Sequence, residues 1–314
     1  MPAIKKILVI RLSSFGDIVL SFPLIKKLKE KFPGAEIDFL TKKEYEEVIS
    51  LNPDVSSKIF WNDSSGMRKQ IRKEKYDLII DIHKNFRSFY VSFLNSGKVR
   101  RYKKENVKKF FLVKLKLSLF KEIIPVYKKY LYTLKDYLSG SDHEFTLSDL
   151  NFDRGRFTDE TYIVISPASR HFTKTYPKEK FVEFINKLNG KVVLVGSDTE
   201  NDKVICDYIQ KNCHNIINLC GKLNIKELAN ILYNSEYVMC NDSAVLHLSE
   251  AVGKKVVAIF GSTVREFGFF PQLKNSKVFE IKALQCRPCT HIGRNECPLG
   301  HFRCMREIQL TVNS

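Results

Sequence analysis

Short β-branched runs at residues 7–11, 36–40, 58–60 and 78–81 are each followed by a loop of small or polar residues, with amphipathic stretches at 21–31, 43–50 and 67–75 between them. The runs are strand-sized, and the stretches carry helical periodicity. A chain that alternates strand and helix in this way forms a parallel sheet with helices on both faces, because parallel neighbours are joined by a crossover. The pattern breaks at a basic segment, 98–135, and at a polar, irregular stretch, 139–161, which contains Gly140 and Gly155 and reads as a linker. It then resumes, with strands expected at 162–166, 191–195, 216–219, 237–240 and 256–260 and helices at 177–188, 200–211, 225–234 and 244–252. Two such units fit 314 residues at about 150 residues per domain. The expected fold is α/β: two Rossmann-like, doubly wound parallel-sheet domains, 1–150 and 151–314, facing a cleft.

No apolar run reaches the roughly 18 residues needed to cross a bilayer, and Met1 to Lys6 leads straight into the first strand without a signal-peptide core. A cytoplasmic location is expected. The formal charge is +17, and residues 98–135 hold 13 Lys or Arg against Glu105 and Glu122, interleaved with Tyr102, Phe110, Phe111, Phe120, Tyr127 and Tyr130. Such a segment suits an anionic lipid surface, where each cation contributes about 1 kcal/mol and aromatics enter the headgroup layer. It also fits a solvated basic helix whose Phe and Leu residues form core. Peripheral contact with the inner membrane through this segment is the expectation, and no nucleic-acid partner is expected.

In doubly wound sheets ligands sit beyond the carboxyl ends of the strands, so the loops there hold the candidate chemistry. The first is Arg11-Leu12-Ser13-Ser14-Phe15-Gly16-Asp17. Asp17 is ionised at neutral pH and suits a general base for a hydroxyl; on spacing alone it suits a helix cap as well. The loop after 78–81 offers His83, Lys84, Asn85 and Arg87 to an anionic acceptor, with Ser14 and Arg101 completing the acceptor set. His83 is also a rival base or a structural histidine.

The chain contains neither G-x-G-x-x-G nor G-x-x-x-x-G-K-[ST], so neither a dinucleotide oxidoreductase nor a P-loop NTPase is supported. It also lacks D-x-D, the pair with which many nucleotide-sugar enzymes hold a divalent ion on the diphosphate. Cationic side chains and backbone amides are left to neutralise phosphate. Candidates are Ser169, Arg170 and Lys174 in the loop ahead of Pro177, then Asp242, Ser243 and Ala244, and Ser262 and Thr263 after the last strand. Each of these loops also reads as ordinary helix capping. No cofactor is expected. Cys286, Cys289, Cys297 and Cys304 resemble a zinc site only in part, and no metal ligand is assigned.

Taken in order, the first loop with Pro23 after it, the 81–88 loop, Lys174-Thr175-Tyr176-Pro177, Asn241-Asp242-Ser243 with His247, Phe260-Gly261-Ser262-Thr263 and Cys297-Pro298-Leu299-Gly300-His301-Phe302-Arg303-Cys304 resemble the family 9 glycosyltransferases, the bacterial ADP-heptose:lipopolysaccharide heptosyltransferases. The resemblance spans nearly the whole chain. It implies a GT-B fold, with the acceptor on the first domain and the nucleotide sugar, ADP-heptose, on the second, and inversion at the anomeric carbon. It further implies Asp17 as base, Lys174 on the donor phosphate, Asp242 on the transferred sugar and Glu200 on the nucleoside. The acceptor implied is an anionic glycolipid. Tyr176 stands where the family commonly has Trp, Phe15 where Met is frequent, and Arg170 and Lys174 are spaced more loosely than in some members. The alternatives are a non-catalytic nucleotide- or glycolipid-binding module of the same fold, against which the joint presence of Asp17, Lys174 and Asp242 stands, and a basic nucleic-acid-binding protein.

Overall fold

The computed structural model describes residues 4–62, 64–140 and 144–311; residues 1–3, ahead of the first strand, and 141–143 of the expected linker lie outside them. One sheet is built from β1 (Lys6–Ile10), β2 (Glu36–Thr41), β3 (Ser57–Phe60), β4 (Leu78–Asp81) and β5 (Lys98–Arg101), in the order β3-β2-β1-β4-β5. The other comprises β6 (Tyr162–Ser166), β7 (Lys191–Leu194), β8 (Ile216–Asn218), β9 (Val238–Asn241), β10 (Val256–Phe260) and β11 (Lys277–Glu280), in the order β11-β10-β9-β6-β7-β8. All the strand pairings are parallel. The alternation read from the sequence therefore folds as two parallel-sheet α/β domains.

Burial explains which strands announce themselves. Ile7, Leu8, Val9 and Ile10 of the central β1 are fully buried, as are Leu78, Ile79 and Ile80 of β4. Strands covered on both faces read as continuous apolar runs. The edge strands β5 (KVRR) and β11 (KVFE) are only half-buried, so their sequences carry charge and no apolar run. Neither was expected from the sequence, and Lys98–Arg101 of the basic segment is an edge strand paired to β4.

Both sheets wind outward from a central strand and then reverse. In the first, β1, β2 and β3 run one way and β4 returns to the other side of β1; in the second, β6 plays the part of β1 and β9 that of β4. The loops after β1 and β4, and those after β6 and β9, thus meet at the two topological switch points, the places where this fold class binds ligands.

The chain forms two compact units, one built from the residues up to Lys104 with Val126–Asn151, the other from Glu105–Pro125 with the residues from Phe152 on. A single boundary after residue 150 needs correcting, because Glu105–Pro125 belongs with the second unit. There the Lys116 amine donates to the carbonyls of Cys286 and Pro288 at 3.1 and 2.6 Å, while Lys109 lies near the rings of Phe267 and Phe269. At the last crossing Asn151 N–H donates to Leu51 in the first unit, and Asn230 holds the carbonyls of Asp153 and Gly155 in the second.

One buried carboxylate ties down the approach to β11. Glu250, 2% exposed in the helix Ala244–Ala251, accepts from the Gln272 and Leu273 N–H groups at 2.7 Å and from the Ser276 hydroxyl at 3.2 Å. Burial pushes its pKa up to about 7 against the opposing pull of these donors. Glu250→Ala strands two half-buried N–H donors at about 1–2 kcal/mol each, so a loss of roughly 2–4 kcal/mol is expected. Calorimetric unfolding checks this, and an unchanged Tm would remove Glu250 from the account of this segment.

Candidate active site

The first unit gathers its polar groups around Asp17. After β1 the chain turns through residues 11–14 into the short helix Phe15–Val19, which places Asp17 in its first turn. The Asp17 carboxylate accepts from the Ser14 hydroxyl at 2.8 Å and the Tyr130 hydroxyl at 3.1 Å, and pairs with Arg11 Nη2 at 2.6 Å. Arg11 Nη1 donates in turn to Ile82 O at 2.7 Å, which ties the loops after β1 and β4 together. Burial opposes the charge on Asp17, yet Arg11, Ser14 and Tyr130 outweigh it and hold the carboxyl below its usual range. Asp17 reaches back to Ser14 as part of a capping box, and its carboxylate stands at the switch point.

Asp81, fully buried at the end of β4, organises the second loop. It accepts from the N–H groups of His83 and Lys84 at 3.1 and 2.7 Å and from the Ser88 hydroxyl at 2.9 Å, with Arg101 Nε 3.4 Å away. Asn85 caps the helix Phe86–Phe93, exchanging hydrogen bonds with Ser88. Burial, then Arg11 and Lys104, pull the His83 pKa down to about 4, so the ring is neutral at pH 7. Arg87 lies over Trp61 and Arg101 over Phe89. Of the acceptor candidates, then, Asn85 serves as a helix cap and Arg101 is shared with Asp81, while Ser14 is bonded to Asp17. The sequence reading missed Tyr130, 113 residues away from Asp17, for which no local pattern exists. Arg11 and Asp81 stood inside the quoted loops without an assigned role.

In the second unit the Lys174 amine meets Asp242 Oδ2 at 2.7 Å, and the Thr263 hydroxyl donates to the same oxygen at 2.6 Å. Three loops, after β6, β9 and β10, thereby converge on one carboxylate. Asn241 fixes two of them: its amide donates to Pro167 O at 2.7 Å and accepts from Tyr176 N–H at 3.0 Å. Ser243 stands at the N-cap position of the helix Ala244–Ala251 without a side-chain capping bond, and the helix's N-terminal amides begin at Ala244. The Ser243 and Ser262 hydroxyls are buried without a hydrogen-bond partner among the described residues. An unpaired buried hydroxyl at a helix N-terminus next to the Lys174–Asp242 pair, that of Ser243, suits an anionic ligand, whereas Ser262 lines a separate cavity with Lys116.

Beside this cluster lies a cavity of about 890 Å³ lined by Ser169, Arg170, Phe172, Tyr176, Ser197 and Asp202 among others. Ser169 and Arg170 thus face the cavity, whereas Glu200, exposed at the start of the helix Glu200–Asn212, is not among its lining residues.

The sequence model of glycosyltransferase family 9 (heptosyltransferase) matches residues 65–299. The chain belongs to this family. It is therefore a glycosyltransferase. Lipopolysaccharide heptosyltransferase 3 of Escherichia coli K12 is 24% identical over 90% of this chain and 90% of its own. Among solved structures, the E. coli ADP-heptose lipopolysaccharide heptosyltransferase II superposes with a TM-score of 0.70 at 18% identity, covering 96% of this chain and 98% of that one. The iron-containing dodecameric glycosyltransferase TibC of enterotoxigenic E. coli superposes at 0.62 with 13% identity, covering 98% and 73%.

All eight cysteines are free thiols. Cys286, Cys289, Cys297 and Cys304 line one cavity of about 310 Å³ with Lys116. Among the described residues, no group of three or more His, Cys, Asp or Glu stands where it would hold a metal ion.

Proposed function

We propose that this family 9 glycosyltransferase transfers a heptose from ADP-heptose to a lipopolysaccharide core or lipid A-type acceptor, with inversion and without a metal. The observation that carries the donor half is the convergence of Lys174, Asp242 and Thr263 beside the unpaired Ser243 hydroxyl. The diphosphate lies on Lys174 and the helix N-terminus, the sugar against Asp242. The nucleoside enters the cavity of about 890 Å³, within the size range of small-molecule sites, with Ser169 and Arg170 at its rim. The lack of a D-x-D pair in the sequence supports neutralisation by side chains rather than by a divalent ion.

In the reaction an acceptor hydroxyl loses its proton to Asp17 while its oxygen bonds to the anomeric carbon. The bond from that carbon to the diphosphate breaks on the opposite side, and ADP leaves with the electron pair. A single in-line displacement inverts the centre. Lys174, Arg170 and the amides near Ser243 and Thr263 stabilise the charge that develops on the leaving group. His83, neutral at pH 7, and Lys84, Arg87 and Arg101 receive the anionic acceptor.

We place the enzyme in the cytoplasm, touching the inner membrane through the basic segment. Among the described residues, no helix is long and apolar enough to cross a membrane. Within 98–135 the contact narrows to Glu105–Pro125, where Val107, Phe110, Leu115, Leu117 and Leu119 are exposed among lysines, since Tyr127 and Tyr130 are buried.

Titration calorimetry with ADP-heptose, ADP-glucose, UDP-glucose and GDP-mannose, in chelator and with ADP as reference, tests the proposal. Selective binding of ADP-heptose is expected. Preference for another nucleotide sugar would replace the donor, and binding only after a metal is restored would overturn the metal-free reading.

A further inference from the structure

The helix Phe86–Phe93 is turned inside out. Its aromatic residues Phe86, Phe89, Tyr90 and Phe93 recur at the i, i+3, i+4, i+7 spacing that ordinarily marks a core-facing stripe. Here the buried positions are instead Ser88, Val91 and Ser92, and Phe86 and Phe93 stand 88% and 84% exposed, with Phe89 and Tyr90 partly exposed beside them. Asp81 sets this rotation. Its fully buried carboxylate needs the Ser88 hydroxyl at 2.9 Å, and once Ser88 points inward the aromatic stripe faces out. Ser92 satisfies its own hydroxyl on Ser88 O at 2.9 Å, and Val91 and Leu94 pack against Met67, Ile71 and Tyr76.

Met67 and Ile71 belong to the neighbouring helix Ser65–Lys73, which carries Lys69, Arg72 and Lys73 at exposed positions. Between residues 65 and 101 the acids are Glu74, Asp77 and Asp81. Glu74 pairs with Lys6, Asp77 accepts from the Lys5 and Lys6 N–H groups, and Asp81 is buried. The helix packed against the aromatic one therefore presents Lys69, Arg72 and Lys73 to solvent. A self-complementary dimer through this face would set cation against cation, which disfavours a second copy as its occupant. An anionic lipid surface matches both features, since aromatics enter the headgroup layer and lysine and arginine meet its charge.

We propose that Phe86 and Phe93 insert into an anionic lipid surface and that Lys69, Arg72 and Lys73 hold the first unit against it. This lipid-contacting element is separate in the chain from Glu105–Pro125. The inference rests on the proposal that the first unit takes a glycolipid acceptor. The helix is continuous with the 82–85 loop, so a lipid-inserted helix holds that loop at the headgroup layer, where the acceptor's sugars lie.

Vesicle flotation of the full chain, without donor, tests it directly. The probes are vesicles of phosphatidylcholine alone or with an equal part of phosphatidylglycerol, and the variants are F86S/F93S and, separately, F110S/L117S. Both sites are solvent-exposed, so the fold is retained, and circular dichroism checks that. The wild type is expected to float with the anionic vesicles, and F86S/F93S to partition about tenfold less or weaker still. Transfer to a deacylated, water-soluble acceptor is expected to persist in F86S/F93S, while transfer to vesicle-embedded acceptor falls with flotation. Unchanged flotation of F86S/F93S, or a loss confined to F110S/L117S, would overturn the inference. So would a concentration-dependent dimer that F86S/F93S dissociates while lipid binding stays as in the wild type. Flotation does not depend on turnover, so a failure of the proposed reaction would show as absent transfer on either acceptor with the flotation result still standing.

Discussion

Asp17→Asn is expected to lower kcat by about 10²- to 10⁴-fold, the usual contribution of a positioned general base, while the calorimetric affinity for ADP-heptose stays within a factor of about two. The variant keeps the side chain's shape and removes its ability to take a proton. Donor affinity is spared because the donor contacts proposed above, Lys174, Asp242 and Ser243, belong to the other unit. Stability falls as well. Arg11, 10% exposed at its side chain, loses the carboxylate 2.6 Å away, and breaking such a buried pair from one side costs about 3–5 kcal/mol. Kinetics are therefore measured below the lowered Tm. The pH dependence carries the same sign: Asp17 titrates below its ordinary range, so its stabilisation is complete above the unfolded-state pKa of about 3.9 and is lost as pH falls through the lower folded value. Asp17→Asn should flatten that acid limb of stability. A variant that transfers at the wild-type rate would shift the base to another group, with His83, neutral at pH 7, the nearest alternative.

The parallel sheets were legible because their central strands are buried on both faces and must be apolar along their length. β1 and β6, each buried at nearly every position, could not be written otherwise. What the sequence hid follows from the same physics. An edge strand such as β5 needs only half its surface covered, so KVRR satisfies it, and four basic or β-branched residues inside a basic segment carry no strand pattern. The excursion of Glu105–Pro125 into the second unit was hidden for another reason. Its attachment includes Lys116 reaching the carbonyls of Cys286 and Pro288, a contact spanning 170 and 172 residues that composition cannot show.

The site was legible where a residue's neighbours in space are also its neighbours in sequence. Ser14 and Asp17 are three apart, so capping chemistry and loop position could be read together, whereas Asn85, expected on the acceptor, caps its helix through Ser88. Partners supplied by distant segments were not legible. Tyr130 reaches Asp17 from the far side of the excursion, and Asn241 joins the loop after β6 through Pro167 and Tyr176. Lys174, Asp242 and Thr263 were each singled out, but only the fold puts Lys174 and Thr263 on one oxygen of Asp242. The helix Phe86–Phe93 was not expected from the sequence, and the need of Asp81 for a serine hydroxyl turns its aromatic stripe outward. A local polar requirement at a buried carboxylate can thus outweigh the apolar pattern of a short helix.

Lys174→Met is expected to weaken ADP binding about 100-fold and to lower kcat by a further 10²-fold or so, because the proposed lysine contact grows stronger as charge moves onto the departing diphosphate. Methionine keeps most of the unbranched stem, so packing changes little and the loss isolates the charge. Lys174 also neutralises Asp242, whose side chain is 6% exposed and would retain only the Thr263 hydroxyl. The apo variant should therefore unfold at a lower temperature, and adding Asp242→Asn should restore part of that loss by removing the stranded carboxylate. That double variant separates the two roles: its Tm recovers while its affinity for ADP does not. Lys174→Arg retains the charge but exchanges a compact ammonium for a planar fork, so intermediate affinity is expected. Calorimetry with ADP and steady-state kinetics with the sugar donor read the two terms independently. A rise in KM with kcat unchanged would confine the lysine to ground-state binding, and ADP affinity equal to wild type would take the diphosphate away from Lys174 altogether.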